Sequence, residues 1–301
     1  MKLNKQLLAG IIFLVGLLFV TFVGPYLPFI DEDIEKKGMM ITENGEIEIP
    51  PFPPSSEYWL GSDHYGRDIL SRLVVGTKEV LAVVLSVVLI RYCLAIPLGL
   101  GAFYYRRVRR VLQFLNHTLS FVPMIFIVLF FITMPYLYFS PHRTTWLIII
   151  LAVVEVGRVG DVLYKQTEEI SYKPFMDTAI TSGNTPFQML RRYYFPQLFP
   201  HMAVNISLDI SRVMFVIGQL GLIQVFISHK IEAIASVTTP AYKVINTSHT
   251  WPVLFQRATS DVFGSVWVPF AGAGAITIFV VGFYLLGNGI RHYFEKRQSY
   301  I

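Results

Sequence analysis

The sequence predicts an all-α, polytopic membrane protein with six transmembrane helices. Hydrophobic residues make up 53% of the 301 residues, charged residues make up only 15%, and the mean hydropathy is +0.53. A soluble domain carries about 25% charged residues, and it has no need of apolar runs of about 20 residues, the length that crosses a bilayer as a helix. The single cysteine, Cys93, excludes a disulfide scaffold within the chain.

Six apolar runs are long enough to be spans, and they cover residues 7–29, 80–105, 112–136, 145–163, 201–228 and 266–290. The first run follows Lys2 and Lys5, as a signal peptide would. Its apolar stretch is too long for a signal peptide, however, and residues 21–28 contain no small-x-small cleavage site. We therefore predict that this run is a retained anchor helix.

The charges between the runs predict the orientation. The outer loop at 30–76 contains ten acidic and four basic residues, whereas the segments on the other side are mostly basic. The positive-inside rule then places both termini in the cytoplasm. This topology divides the chain into an N-terminal anchor helix (1–29), an extracytoplasmic loop (30–76), a transmembrane domain of five helices (77–291) and a cytoplasmic tail (292–301).

The transmembrane domain includes a cytoplasmic segment at 164–200, which we name the coupling segment. Gly183 is suited to end one helix there, and Thr185 can cap the next, with Pro186 in its first turn and Pro196 at its end. Helical spacing places three apolar side chains of this short helix on one face: Phe187, Leu190 and Tyr194. Periodicity alone fits either a docking surface or an interfacial hairpin resting on lipid headgroups.

The spacing within this segment resembles the signature of ABC importer permeases, which reads Glu-Ala-Ala, three residues, Gly, nine residues, Ile-x-Leu-Pro. The corresponding residues here are Asp177, Thr178, Ala179, Gly183, Tyr193, Phe195 and Pro196. Four of the seven positions differ in residue type, although the acid and the apolar bulk are retained. The resemblance implies that the coupling segment docks onto an ATPase.

A second resemblance lies at the end of the outer loop, where residues 60–76 read LGSDHYGRDILSRLVVG. This stretch is similar to one found in dipeptide, oligopeptide and nickel importer permeases, and the matching residues include Gly61, Asp63, Gly66, Arg67, Asp68, Ser71 and Arg72. Gly66 permits a turn, and Asp68 and Arg72 have the i, i+4 spacing of a helical ion pair. We assign these residues no contact with substrate.

Together with weaker matches near the C-terminal end, the resemblance extends over residues 58–291. It implies a type I ABC importer permease fold, of the kind of the second permease subunit of dipeptide importers, in a bacterial cell membrane. The implied partners are a related permease subunit in a heterodimer, two ABC ATPases and an extracellular solute-binding protein, with lipid around the chain and no nucleic acid. The sequence has no G-x-x-x-x-G-K-[ST] motif. We therefore expect a non-catalytic chain without a cofactor, whose partner ATPases bind ATP and Mg.

Polar residues within the apolar runs form a candidate translocation path: Arg91, Asn205, Asp209, Arg212 and Gln219. The last four fall on one helical stripe, and charge inside a bilayer usually faces a cavity or a partner. The alternative is that Asp209 and Arg212 neutralise each other while packed against another helix. We expect Arg91 to face Asp209 or a water-filled cavity, and Glu155 and Arg158 to form a structural i, i+3 pair.

The function that we predict is an importer permease subunit for short peptides. Nickel, a metal chelate, a sugar or another small solute is the alternative cargo. A stand-alone channel, an ion-coupled carrier and a membrane scaffold that transports nothing are alternatives of other classes. The seven histidines are scattered without ligand spacing, so we expect no metal site.

Overall fold

The computed structural model describes residues 4–41, 47–225, 227–234 and 241–298. Lys2, residue 226 of the fifth predicted run and residues 299–301 of the predicted tail lie outside the described residues. The described residues are mostly helical, as predicted. Their α-helices are α1 (Lys5–Phe22), α2 (Ile69–Tyr104), α3 (Arg106–Ser120), α4 (Met124–Ile132), α5 (Pro135–Tyr138), α6 (Arg143–Val154), α7 (Val156–Ser171), α8 (Pro174–Thr181), α9 (Pro186–Met189), α10 (Phe195–Leu222), α11 (Ala258–Asp261) and α12 (Trp267–Gln298).

Two antiparallel hairpins, neither of them expected from the sequence, lie in the predicted outer loops. In the first loop β1 (Met40–Ile41) pairs with β2 (Ile47–Glu48), with Met40 opposite Glu48. In the loop before α12, β3 (His229–Ile234) pairs with β4 (Ala241–Asn246), with His229 opposite Asn246. The described residues also contain the 3₁₀ turns Gly24–Tyr26 and Trp251–Phe255 and one π turn, which is described below.

Four helices of the described residues are long and apolar enough to cross a membrane: Lys5–Phe22, Ile69–Tyr104, Pro186–Leu222 and Trp267–Lys296. The number becomes five if Arg106–Leu119 and Met124–Ile132, which are bent by 89°, count as one broken span. These helices correspond to the first, second, fifth, sixth and third predicted runs. The chain therefore has the character of a multi-pass membrane protein.

Two predicted runs are interrupted by helix breaks. The third, at 112–136, bends after α3, where Pro123 precedes the first residue of α4 and has no backbone N–H to continue a helix. The fourth, at 145–163, is divided between α6 and α7, because Glu155 leaves the helical conformation (φ −99°, ψ 4°). Neither α6 nor α7 alone is as long as a bilayer span, so the sixth crossing remains a prediction.

Close backbone contacts between helices position the functional region. α12 packs along α1 and α10, and α2 packs along α7. The α2–α7 contact is tight, because a Cβ atom on Gly99 would lie 2.7 Å from the carbonyl oxygen of Gly160. As a result α2, α7 and α10 converge around a small set of charged side chains.

Candidate functional site

Arg91 of α2 is fully buried at the centre of this convergence. Its Nη1 donates to Oδ2 of Asp209, on α10, at 2.7 Å. Its Nη2 and Nε donate to the backbone carbonyls of Leu151 and Ala152, near the end of α6, at 2.5 and 3.3 Å. The predicted pairing of Arg91 with Asp209 is therefore confirmed, and the break after α6 supplies two further acceptors.

The second oxygen of Asp209 extends the cluster to α7. Oδ1 accepts from Nη2 of Arg158 at 2.8 Å, and Nε of Arg158 donates to Glu155. Oε2 of Glu155 also accepts from Nη1 of Arg212 at 3.4 Å. Glu155 and Arg158 thus form the expected i, i+3 pair, and that pair links Asp209 to Arg212. We name these five residues the Asp209 network: Arg91, Glu155, Arg158, Asp209 and Arg212.

The alternative reading of the stripe, in which Asp209 and Arg212 neutralise each other, is wrong. Asp209 faces the interior of the bundle, whereas three residues later Arg212 points outward and its side chain is 50% exposed. Both carboxylate oxygens of Asp209 are occupied by Arg91 and Arg158. The predicted stripe on α10 therefore divides into an inward residue, Asp209, and residues on the partly exposed face.

Two open clefts flank the outward side of the Asp209 network. One has a volume of about 260 Å³ and is bordered by Pro123 and Met124 at the bend after α3. The other has a volume of about 120 Å³ and lies between α2, α7 and α10, beside Tyr92 and Asn205. Arg158 and Arg212 line both clefts.

Among the described residues, the remaining polar residues of the stripe make no hydrogen bond to the network. Nδ2 of Asn205 donates to Oε1 of Gln166, on α7, at 3.1 Å. Gln219 is half-buried two turns beyond Arg212, and no hydrogen bond joins it to the network within the described part of the chain. The structure thus brings Arg91, Asp209 and Arg212 together and leaves Gln219 separate.

The coupling segment has the predicted break between helices. Gly183 follows α8 with a φ of +73°, the left-handed region in which glycine is favoured. Thr185 then forms a capping box with Gln188: Oγ1 of Thr185 accepts from the Gln188 N–H at 3.4 Å, and Oε1 of Gln188 accepts from the Thr185 N–H at 2.9 Å. Nδ2 of Asn184 holds the turn against α8 by donating to the carbonyl of Ala179 at 2.8 Å.

The prediction that Pro196 ends the second helix is wrong. α9 passes through a π turn at Leu190–Tyr194 directly into α10, so that one helix runs from Pro186 to Leu222. Pro196 lies in the first turn of α10, immediately after the π turn. A π turn already departs from the i→i−4 hydrogen bonds, so a missing N–H is tolerated there.

The π turn also changes which side chains the coupling segment exposes. Met189 and Tyr194 are five residues apart and both are buried, and the Tyr194 ring packs against Phe103 with centroids 5.3 Å apart. The predicted exposed face of Phe187, Leu190 and Tyr194 is therefore wrong in two of its three members, because Leu190 is half-buried and Tyr194 is buried.

The apolar side chains that the coupling segment does expose come from both of its helices. Ile180, at the end of α8, is 60% exposed, and Phe187, on α9, is 70% exposed. Asp177 and Thr178 are exposed on α8 as well, whereas Ala179 is buried. We name this set the coupling face: Asp177, Thr178, Ile180 and Phe187.

At the opposite end of α2, the motif of the outer loop folds around Asp63. Its Oδ2 accepts from Arg67 Nη2 at 2.7 Å and from Arg72 Nη1 at 2.6 Å. Burial alone would raise the pKa of the Asp63 carboxyl, but the guanidinium groups of Arg72 and Arg67 outweigh this effect and hold the pKa below its usual range. Gly66 has a φ of +71°, which confirms the predicted turn.

The predicted ion pair between Asp68 and Arg72 is wrong. Asp68 is the N-cap of α2 in an extended conformation, and its Oδ2 accepts from the N–H and hydroxyl of Ser71 at 2.7 and 2.6 Å. A carboxylate that caps a helix points back at the first amides, so it is turned away from a side chain one turn later. Arg72 pairs with Asp63 instead.

Sequence reasoning did not identify the link that Glu155 and Arg158 form between Asp209 and Arg212, or the position of Tyr92 beside them. A signal was present, since two of the apolar runs already contained Arg91, Asp209 and Arg212. Glu155 and Arg158 add two charges in another apolar run, and such charges are costly in a bilayer unless they pair with the charges of the first two runs.

The model of the family "Binding-protein-dependent transport system inner membrane component" matches residues 92–300, more than half of the chain. The dipeptide transport system permease protein DppC of Bacillus subtilis is 22% identical over 85% of this chain and 75% of its own length. The probable D,D-dipeptide transport system permease protein of Escherichia coli is 22% identical, over 82% and 76%. The glutathione transport system permease protein of Pectobacterium atrosepticum is 23% identical, over 79% and 72%.

Proposed function

Because the chain belongs to the family of binding-protein-dependent transport system inner membrane components, it is a permease subunit of an ABC importer, and we propose that it forms half of the translocation path for short peptides. The names of the relatives, which transport dipeptides, D,D-dipeptides and glutathione, support this cargo. A related permease subunit forms the other half of the path, two ABC ATPases bind ATP and Mg, and an extracellular solute-binding protein delivers the peptide.

In this proposal the chain itself catalyses no reaction and holds no cofactor. Both termini lie in the cytoplasm of a bacterial cell, with the coupling segment on the same side. The exposed apolar side chains of Ile180 and Phe187 support a docking role for this segment, because exposed apolar surface often marks a binding site.

The observation that carries the proposal is the continuous helix Pro186–Leu222. It has 37 residues and joins Phe187, the member of the coupling face on α9, directly to the Asp209 network. At 1.5 Å per residue it is about 55 Å long, and about 33 Å separate the level of Phe187 from that of Asp209. A displacement of Phe187 by an ATPase is therefore transmitted through one hydrogen-bonded helix, with no loop between the two ends.

The energetics of docking limit how far the ATPases can shift the permease between its states. The ATPases change their relative position when they bind ATP, and the coupling face moves with them. Docking can shift the permease between inward-open and outward-open states only by the difference in affinity of the coupling face for the two ATPase arrangements. Asp209 ties α10 to α2 and α7 through Arg91 and Arg158, so these helices move together.

The experiment that tests the proposal replaces Phe187 with aspartate and follows assembly and transport. We expect the wild-type chain to copurify with two P-loop ATPases and a second permease, and the reconstituted complex to take up dialanine at the expense of ATP. In Phe187→Asp the ATPases should be lost, or their hydrolysis should no longer respond to the loaded binding protein. The control is Tyr293→Asp, an exposed aromatic residue near the end of α12, which should behave as wild type.

Purification of the chain without an ATPase would instead favour a channel or a scaffold. Wild-type uptake by Phe187→Asp would show that the coupling face is not the docking site.

A further inference from the structure

Arg212 is the member of the Asp209 network with the weakest contact to an acid. Its Nη1 lies 3.4 Å from Oε2 of Glu155, and that oxygen also accepts from Arg158. Among the described residues this is the only hydrogen bond of the Arg212 guanidinium. The other arginines of the network each contact a carboxylate oxygen at 2.8 Å or less.

The charges of the network do not balance. Three arginines contact two carboxylates, Asp209 and Glu155, so the network carries a net charge of +1. Asp209 is already shared by Arg91 and Arg158. The excess positive charge therefore lies at the open end of the chain of contacts, on Arg212. A cation within a membrane-spanning helix gains from an anionic partner, because charges at this depth are usually paired.

Space for such a partner is present on both sides of Arg212. The cleft of about 260 Å³ beside Pro123 and the cleft of about 120 Å³ beside Tyr92 both open at this side chain. A water molecule occupies about 30 Å³, so the larger cleft has room for several water molecules. That space is enough for a carboxylate with one attached residue. The planar guanidinium offers paired N–H donors that match the two oxygens of a carboxylate.

We infer that Arg212, with Arg158 behind it, binds the C-terminal carboxylate of the peptide as it passes through the permease. This inference rests on the proposed function, since it assigns a site to the proposed cargo. The incoming carboxylate replaces the long contact of Arg212 with Glu155, while Glu155 keeps its contact with Arg158. The site becomes neutral when the peptide is bound and regains its charge when the peptide leaves.

The assignment predicts selectivity for one end of the peptide. A free carboxylate is accepted, and a C-terminal amide is rejected because it supplies no negative charge. A small anion such as acetate competes only weakly, because it lacks the peptide groups that fill the cleft. These differences belong to the permease itself and are separate from any selection by the binding protein.

The test measures binding to the assembled complex of both permeases and both ATPases in lipid nanodiscs, without the binding protein. Saturation-transfer NMR is recorded with dialanine, with dialanine amide and with acetate. We expect dialanine to bind the wild-type complex at least tenfold more tightly than either other probe. Arg212→Gln should lower dialanine affinity at least tenfold, and Arg212→Lys, which keeps the charge, should retain most of it. The control is Arg110→Gln, an exposed arginine of α3, which should leave binding unchanged.

Equal binding of dialanine and its amide by the wild-type complex would overturn the inference, and this comparison needs no variant. Equal affinity for acetate and dialanine would overturn the assignment to peptide, and unchanged affinity in an assembled Arg212→Gln complex would overturn the role of Arg212. Uptake by the wild-type complex with its binding protein is measured in parallel. Absence of peptide uptake there contradicts the proposed cargo itself, whereas normal uptake with no carboxylate selectivity contradicts only the inference.

Discussion

The buried pairing of Arg91 with Asp209 leads to a stability prediction that distinguishes an ion pair from an ordinary hydrogen bond. Asp209→Asn keeps the shape of the side chain and removes its charge. It leaves the fully buried Arg91 without a charged partner, because the amide oxygen of asparagine and the carbonyls of Leu151 and Ala152 are neutral acceptors. Removing one partner of a buried ion pair costs about 3–5 kcal/mol. Losing one hydrogen bond between transmembrane helices costs about 0.6 kcal/mol on average.

The measurement is the free energy of unfolding of the purified complex, from titration of a mild detergent with sodium dodecyl sulfate, followed by tryptophan fluorescence. We expect Asp209→Asn to lower it by about 3 kcal/mol or more. The matched control is Glu168→Gln, which removes the half-exposed contact with Arg109 and should cost at most about 1 kcal/mol. Arg91→Gln combined with Asp209→Asn removes both charges, so the double variant should be more stable than the sum of the single losses predicts.

A loss in Asp209→Asn no larger than in Glu168→Gln would refute the reasoning. It would mean that water reaches Arg91 and solvates it when the carboxylate is gone. Strict additivity in the double variant would lead to the same conclusion, because two groups that do not interact show no coupling energy.

Three further predictions concern the outer loop, the coupling segment and the helix contacts. The pKa of Asp63 is depressed, so its stabilisation of the outer loop is fully present above the unfolded pKa of about 4 and is lost as the pH falls from there through the lower pKa of the folded protein. Hydrogen exchange of residues 47–76, corrected for intrinsic rates, should be constant from pH 5 to 7, and Asp63→Asn should show at pH 7 the exchange that the wild type reaches only in acid. Asp177→Lys should uncouple ATP hydrolysis from uptake without loss of membrane insertion, because it reverses the charge of the coupling face, while Asp177→Glu should behave as wild type. Gly99→Ala should destabilise the complex by about 1–3 kcal/mol, because the new Cβ meets the carbonyl oxygen of Gly160 at 2.7 Å. The control is Gly101→Ala, which should be tolerated because the nearest atom to its Cβ is 3.5 Å away. Thermal denaturation of the two variants compares their stabilities.

Local chemistry in the coupling segment was predictable because few residues decide it. The left-handed residue Gly183 and the capping box of Thr185 and Gln188 depend on backbone sterics and on hydrogen bonds within four residues. The fate of the helix beyond Tyr194 was not predictable in the same way. A proline inside a helix removes one backbone hydrogen bond, and the π turn that precedes Pro196, where Tyr194 packs against Phe103, accommodates that loss in a continuous helix.

In the Asp209 network too, the energetic cost of buried charge was predictable from the sequence, but the geometry of the contacts was not. The cost of charge in a bilayer was enough to predict that Arg91 faces either Asp209 or a water-filled cavity. The partners of Arg212 could not be derived, because they depend on the rotation of α7 relative to α10, and the break at Glu155 sets that rotation. The predicted ion pair between Asp68 and Arg72 was wrong for a related reason, since the position of Asp68 as the N-cap of α2 decides which way its carboxylate points.

The contacts of α10 restrict how the permease can change its state. Separating Asp209 from Arg91 and Arg158 would cost several kcal/mol in each cycle, because both carboxylate oxygens are engaged away from water. A motion that keeps α2, α7 and α10 together avoids this cost. We therefore expect the change to be taken up where the helices are already broken, at Tyr105 between α2 and α3 and at the bend that precedes Pro123. Because the larger cleft is bordered by that bend, opening it would alter access to Arg212 without breaking the buried pairs.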